Sequence, residues 1–258
     1  MLPKRAIAYL ASVVFWILLW YFAAKSIDLE LILPSPKDVI IRLFELIATA
    51  EFHKTVLSSL LRILSGITAG FILGFIFAII TVAFPPLEAL FSPLLSTVKA
   101  TPVASFIMLA LLWINGDALP AFITLLIVFP LAWANVSEGI RSAPKQLLEI
   151  ASVHKMSAFG KLLYVYLPSL IPFLASTAKS ALGLAWKAGI AAEVLAVPKN
   201  AIGGEIYSSK VFLETTDLFV WTLVTVILSI CMEASANALL SRLTHSYGFG
   251  KKENENGN

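Results

Sequence analysis

Five ionisable residues lie within or beside long apolar stretches of the chain. A charged side chain at the centre of a membrane-spanning helix costs about 2.5–3.5 kcal/mol, so such groups face an aqueous path or a partner. Lysines there would attract an anion, and nearby hydroxyls would add milder polar groups. The five are Lys99, Lys179, Lys187, Glu193 and Glu233, and the candidate pathway residues are Lys99, Thr101, Ser105, Ser176, Lys179 and Ser180.

Two other interpretations of these charges stay open. Long side chains near helix ends can reach the membrane surface, and opposite charges can pair inside a helical bundle. Lys187 and Glu193 are too far apart along one helix to share a face, so any pair that either forms must involve another helix.

Motifs for catalysis are missing from the sequence. Neither Gly160 nor Gly250, each followed by lysine, has the earlier glycine that a phosphate-binding loop requires, and HExxH and GxSxG do not occur. The single cysteine, Cys231, excludes an intrachain disulfide and a thiolate metal site. The sequence therefore predicts no enzyme, no metal site and no cofactor bound by this chain. Uphill transport would need an ion gradient or a partner ATPase.

The composition indicates a protein that lies largely in lipid. Of 258 residues, 59% are apolar and 14% are charged, and the mean hydropathy is +0.87. Soluble domains carry about 25% charged residues. These values disfavour a soluble enzyme and a nucleic-acid-binding protein. Continuous helices are expected because lipid offers backbone groups no other hydrogen-bond partners.

The apolar stretches predict an all-α membrane protein, a polytopic bundle of about six transmembrane helices in one domain of residues 1–258. Stretch 6–24 is interpreted as a retained span, because cleavage after Ala24 or Ala23 would place an aromatic residue at the −3 position. The other spans lie within a core of residues 60–240. They are 63–84, 89–114 (broken or kinked by Pro93 and Pro102), 118–137, 168–197 and 218–240.

An even number of spans places both termini, including the tail 242–258, on one side of the membrane. Lysine and arginine are slightly more numerous on that side, which favours the cytoplasm. Segment 36–59 has apolar residues at helical spacing and predicts an amphipathic helix on the outer surface. Gly66, Gly70 and Gly74 form a small-residue stripe that predicts close helix packing.

Segment 141–168 predicts a compact helical loop between two spans. Pro144 would open its first helix after Ser142 as a cap, Ser157 would cap the second, and Pro168 would mark the start of the next span. Such a loop, with apolar and charged faces, could dock a soluble partner. Its apolar residues could equally pack against the bundle, and Glu149 could be a solvated surface charge.

The loop resembles the EAA loop of permease subunits in bacterial ATP-binding-cassette importers. That motif reads EAA, three residues, Gly, nine residues, Ile, any residue, Leu-Pro. Lys155 stands where the glycine belongs, at a cost of about 1 kcal/mol if the turn is left-handed, and Ile150 replaces an alanine. Matching residues are Glu149, Ala151, Val165, Leu167 and Pro168.

Four further elements are similar to the nitrate/sulfonate/taurine branch of this family, so the resemblance covers residues 33–240. They are LPSP at 33–36, SSLLR at 58–62 before the glycine stripe, AWKAGIAAE at 185–193 and LETTDL at 213–218.

The resemblance implies the type I importer permease fold in the bacterial inner membrane and a small, anionic solute such as nitrate, a sulfonate or taurine. Implied partners are a second permease subunit in a homodimer, cytoplasmic ATPase subunits that bind ATP and Mg, and an extracytoplasmic solute-binding protein. The ATPase-coupling loop residues would be Glu149, Ile150, Ala151, Lys155, Ser157, Ala158 and Phe159. The alternative is a secondary transporter or channel driven by an ion gradient, which needs acidic residues at membrane depth.

Overall fold

A computed structural model of the protein describes the backbone of residues 4–246 and the side chains of residues 11–241 except 158 and 239. Within this range the chain is helical and contains no strand. The elements are α1 (Lys4–Ile27), α2 (Pro36–Ile47), α3 (Ala50–Ala83), α4 (Pro85–Ala100), α5 (Val103–Ala110), α6 (Leu119–Arg141), α7 (Lys145–Val153), α8 (Ala158–Lys161), a π-helical turn (Leu162–Tyr166), α9 (Leu167–Ala196), α10 (Ile202–Val211) and α11 (Thr215–Ser246).

Four helices among the described residues are long and apolar enough to cross a membrane: α3, α6, the continuous helix Phe159–Ala196, and Thr215–Ala238 of α11. α4 and α5 qualify only as a pair bent by 105°, which makes five. The remaining predicted span, 6–24, corresponds to α1. Its apolar part with described side chains, Ala11–Ile27, is shorter than the 18 residues required of a spanning helix. Most of the predicted tail 242–258 lies outside the described residues.

The predicted outer segment 36–59 is two elements, not one. α2 ends at Ile47, and the hydroxyl of Thr49 then accepts a hydrogen bond from the Phe52 N–H at 3.2 Å, which caps the start of α3. Residues 50–59 therefore belong to the 34-residue helix α3. The sequence misses this start because polar residues such as Thr55 and Ser59 occupy the first turns, where they are buried against other helices.

The predicted break within 89–114 falls at Thr101 and Pro102. Thr101 is extended, with φ −75° and ψ 129°, because the ring of the following proline disfavours a helical conformation there. Pro93 lies inside α4 without ending it.

The core of the bundle consists of α3, α6 and α9. α3 and α6 run parallel, and the three glycines of the predicted stripe lie at their contact. A Cβ added at Gly66 would lie 1.9 Å from Oγ1 of Thr124, and one at Gly70 would lie 2.8 Å from Cβ of Val128. A Cβ at Gly74 would lie 2.6 Å from that of Ala132. Only a glycine fits at these positions, so the backbones approach closely.

α9 runs antiparallel to α6. Gly139 near the end of α6 faces Leu170 near the start of α9, and Gly189 near the end of α9 faces Thr124 of α6. We call the end of the bundle that carries residues 142–157 the loop end. The end that carries α2 and α10 is the opposite end. α1 meets the rest through Trp20, which stacks on Phe219 at 5.7 Å and donates to the Pro34 carbonyl.

Candidate functional site

The loop begins where α6 ends, and Ser142 closes that helix instead of capping the next one. Its Oγ donates a hydrogen bond to the carbonyl of Gly139 at 2.9 Å. The predicted role of Ser142 as a cap is therefore wrong. Pro144 stands before α7 in an extended conformation, and α7 begins at Lys145 without a side-chain cap.

α7 ends in a left-handed turn at Lys155, whose φ is 51°. The N–H of Met156 donates to the carbonyl of Ala151 at 2.9 Å, and the N–H of Lys155 donates to that of Ser152 at 3.0 Å. These two bonds form a Schellman motif, in which the left-handed position is usually glycine. Lysine thus occupies the position at which the EAA motif has glycine, and it adopts the conformation that favours glycine.

The second half of the loop passes directly into a spanning helix. Ser157 accepts a hydrogen bond from the Gly160 N–H at 3.1 Å, as expected of its predicted capping role. α8 then continues through the π-helical turn into α9 without interruption. The predicted separate second helix is therefore the start of one 38-residue helix. α8 and α9 are therefore parts of one helix, joined by the π-helical turn.

One face of the loop is fastened to the bundle. Ala151, which is 2% exposed, forms a small buried cluster with Ala143 and Val165. The Nζ of Lys161 donates to the Oγ of Ser152 at 3.1 Å and so ties α8 to α7. Ala151 therefore packs inward, and α7 and the start of the spanning helix are held together.

The other face is apolar and open. Ile150 is 54% exposed, Val153 79% and Phe159 72%. Glu149 is also exposed, and within the described part of the chain its side chain forms no ion pair. Ala158 begins α8, but its side chain lies outside the described residues. The exposed residues form a surface that we call the knob: Glu149, Ile150, Val153 and Phe159.

Three of the candidate pathway residues share one face of α9. Ser176, Lys179 and Ser180 are exposed, as is Lys187 two turns further along the same face. We call these four residues the α9 stripe. In a single chain all four of these side chains are exposed. Charges so placed at membrane depth are costly unless another subunit or water covers them, or unless their side chains reach the membrane surface.

The remaining pathway candidates lie on a different element. Lys99 and Ser105 are exposed, and Thr101 is half-buried at the break between α4 and α5, with its Oγ1 donating to the Thr97 carbonyl at 2.7 Å. α5 packs on α9 through Ala188 and Ala192. These three candidates therefore belong to α4, α5 and the break between them, and not to the α9 stripe.

A buried ion pair and its hydrogen bonds join α3, α9 and α10 at the opposite end. The sequence did not show that the two charged residues are partners. Glu193 of α9 is fully buried, and its Oε1 accepts from Nη1 of Arg62 of α3 at 2.9 Å. Its Oε2 accepts from the Oγ of Ser59 at 2.8 Å and from the N–H of Gly203 at 3.1 Å. Glu193 therefore pairs with another helix, as one of the open interpretations required. Its buried partners leave it no free oxygen for a coupling ion.

A second charge cluster fixes α2 to α11 at the same end. The guanidinium of Arg42 donates two hydrogen bonds to the carboxylate of Asp217, at 2.6 and 2.9 Å. This pairing, followed by a weaker one with Glu45, raises the pKa of Arg42 above its usual range. Glu205 in α10 is half-buried nearby, and burial raises the pKa of its carboxyl, with Glu51 and Asp217 adding to the shift.

The chain is similar to known transport proteins over most of its length. Residues 66–245 match the family described as "Binding-protein-dependent transport system inner membrane component". The chain is 23% identical over 235 residues to the taurine transport system permease protein TauC of Escherichia coli K12, covering 89% of this chain and 85% of that protein. It is 25% identical over 190 residues to the putative aliphatic sulfonates transport permease protein SsuC of Bacillus subtilis 168, covering 73% and 68%.

The fold has a counterpart among solved structures. A chain from the crystal structure of a bacterial ABC transporter involved in the import of the acidic polysaccharide alginate superposes with a TM-score of 0.52 and 18% identity. The match covers 93% of this chain and 96% of the other. The two chains therefore share a fold.

Proposed function

We propose that this chain, which belongs to the family of binding-protein-dependent transport system inner membrane components, is driven by a separate ATPase that docks on its knob. The chain is a permease of the nitrate/sulfonate/taurine type. The observation that carries the proposal is the exposed apolar knob beside the start of the helix Phe159–Ala196. Movement imposed there would reach the α9 stripe along one continuous helix, which contains the π-helical turn Leu162–Tyr166 and Pro172 on the way.

The knob has the composition of a docking surface for a soluble protein. Phe159 and Val153 are large apolar side chains left open to solvent, and an interface buries such residues at its centre. Glu149 stands beside them and could pair with a basic side chain of the partner. ATP and Mg would bind to that partner, since this sequence has no phosphate-binding loop.

This arrangement implies an orientation. An ATPase works where ATP is, so the loop end would face the cytoplasm, together with both termini. The opposite end, with α2 and α10, would then meet an extracytoplasmic solute-binding protein. The slight excess of lysine and arginine on the loop side supports the same orientation.

The α9 stripe is our candidate for the wall of the solute pathway. Its lysines, Lys179 and Lys187, would favour a small anion, and the names of the taurine and sulfonate permeases support this class of solute. A stripe that is open in a single chain would be enclosed by a second copy in a homodimer. Alternating access would follow from rigid-body movement of the two copies as the ATPases close. Lys99, Thr101 and Ser105 are further candidates on α4 and α5.

The decisive test changes the knob and leaves the bundle intact. We expect Glu149→Arg in the complex reconstituted with its ATPase and binding protein to lower solute-stimulated ATP hydrolysis at least about tenfold. The matched control is Glu138→Arg, an exposed glutamate of α6 at the same end but outside the knob. Both variants should melt at the temperature of the unmodified permease. Normal stimulation in Glu149→Arg would remove this residue from the docking surface.

The rival function, transport driven by an ion gradient, is tested by the isolated permease in vesicles. We expect no uphill uptake without the ATPase under any ion gradient. Accumulation driven by a gradient alone would reject the proposed function.

A further inference from the structure

Glu233 of α11 reaches the α9 stripe at a point where α9 has no side chain. A Cβ added at Gly183 would lie 2.8 Å from Oε1 of Glu233. Gly183 is therefore the gap through which the carboxylate packs against α9. Glu233 is exposed and is the one charged residue between Leu218 and Ala238 of α11.

Two lysines of the stripe flank this point. Lys179 precedes Gly183 by one helical turn and Lys187 follows it by one turn, so both lie on the same face, about 6 Å to either side. Both are exposed. Among the described residues neither lysine lies within 4.0 Å of the carboxylate of Glu233. A change of lysine side-chain rotamer would bring either ammonium group to it, because a lysine side chain spans about 6 Å.

Neutralisation explains why a carboxylate is placed here. Two unpaired lysines and one unpaired glutamate at membrane depth would each be costly in lipid. Next to one another and facing an aqueous path, they form a set whose net charge is a single positive charge. A stripe of two lysines alone would hold an anion more tightly and release it less readily.

We propose that Glu233 is a specificity-determining residue of the solute pathway. Its carboxylate is the exchangeable counter-charge of Lys179 and Lys187, and an anionic group of the solute takes its place as the solute passes. This inference rests on the proposed function in one respect, namely that the α9 stripe faces the pathway. Glu233 would add a residue of α11 to the pathway, and its charge would help to set the electrostatic potential that the solute meets.

The test measures that potential without a need for the natural solute. Ser180 lies on the stripe, and Ser180→Cys places a thiol there, in a background where the native thiol is removed by Cys231→Ser. The complex with its ATPase is reconstituted in vesicles and treated with two reagents of similar size. These are anionic sulfonatoethyl methanethiosulfonate and cationic trimethylammonioethyl methanethiosulfonate. The readout is the ratio of the anionic to the cationic modification rate.

We expect Glu233→Gln to raise this ratio about fivefold or more, since a unit charge at about 8 Å acts in opposite directions on the two reagents. Glu233→Asp should keep the ratio of the parent, and Lys187→Gln should lower it. Glu138→Gln, which removes the same charge from an exposed position on α6, is the matched control and should leave the ratio unchanged.

Two failures can be told apart. If both reagents modify the thiol and Glu233→Gln leaves the ratio unchanged, Glu233 is not the counter-charge, although the pathway assignment stands. If neither reagent modifies the thiol with or without ATP, the stripe does not face water. That result would reject both this inference and the pathway assignment in the proposed function.

Discussion

Arg62 and Glu193 lie 131 positions apart in the chain and form an ion pair of 2.9 Å that fastens α3 to α9. The pair also organises α10. Glu193 accepts from the N–H of Gly203, and Ser59 accepts from the N–H of Ile202 at 2.9 Å, so side chains of two other helices satisfy the first amides of α10. Packing of α3, α9 and α10 therefore depends on one buried carboxylate.

Loss of one partner of this pair should destabilise the permease strongly. Arg62→Met leaves the fully buried carboxylate of Glu193 without its counter-charge, and such losses cost about 3–5 kcal/mol. The thermal midpoint in detergent should fall well below that of Lys54→Met, a change at an exposed position of the same helix. The double variant with Glu193→Met should recover part of the loss. Equal midpoints for Arg62→Met and Lys54→Met would contradict this assignment.

Glu205 should make the opposite end of the bundle sensitive to pH. Its folded-state pKa is raised above the usual 4.5, first by burial and then by Glu51, Asp217 and Glu214. The fold favours the protonated form of such a carboxyl. Its contribution to the free energy of unfolding is complete below the unfolded-state pKa and is lost as the pH rises through the folded-state pKa. Glu205→Gln should therefore raise the thermal midpoint near neutral pH and flatten its decline above pH 4.5.

The measurement compares melting curves between about pH 4 and pH 8. Glu30→Gln, at an exposed position of the same end, removes the same charge and serves as the control. A thermal midpoint that is lower for Glu205→Gln than for the unmodified protein at neutral pH would show that the carboxylate is stabilising there.

Apolar composition was sufficient to predict the fold class and most of the spanning helices, since lipid leaves a helix as the only way to satisfy the backbone. It did not locate where α3 begins. Residues 50–59 are as polar as a surface helix, yet the structure continues them into the spanning helix, with Thr55 and Ser59 buried and Ser59 bonded to α9 and α10. Helix starts set by tertiary contacts cannot be derived from hydropathy.

The sequence pointed to local geometry within one segment and not to contacts between distant segments. The loop motif singled out Lys155, which the structure places in a left-handed turn, and Glu149, whose role in docking is our proposal. Glu193 was recognised as a charge that needs a partner, but nothing in the spacing pointed to Arg62. The approach of Glu233 to Gly183 was likewise hidden, because a glycine offers no side chain to mark the contact.

Gly66 should tolerate no larger residue. The added methyl group of Gly66→Ala would lie 2.2 Å from the backbone oxygen of Ala121 and 1.9 Å from Oγ1 of Thr124, so α3 and α6 would have to separate. We expect a loss of about 1–3 kcal/mol or more in the free energy of unfolding, measured by denaturation in mixed micelles. Gly160→Ala is the matched control, since its methyl group would meet the flexible side chain of Met156. Similar losses in both variants would show that α3 and α6 are not closely packed.

A stabilising substitution at Lys155 tests the geometry of the loop. Its backbone is left-handed, with φ 51°, and a residue with a Cβ pays about 1–2 kcal/mol for that conformation. Lys155→Gly restores the residue of the motif and should stabilise the end of α7, offset in part by the greater freedom of glycine in the unfolded chain. The net gain should be about 0.5–1 kcal/mol, seen as slower amide hydrogen exchange at Met156 and Lys155. Lys155→Ala removes the same charge but keeps the Cβ, so it should show no such gain. Faster exchange in Lys155→Gly than in Lys155→Ala would mean that the turn is not left-handed. The end of α7 would then differ from the geometry on which the docking surface depends.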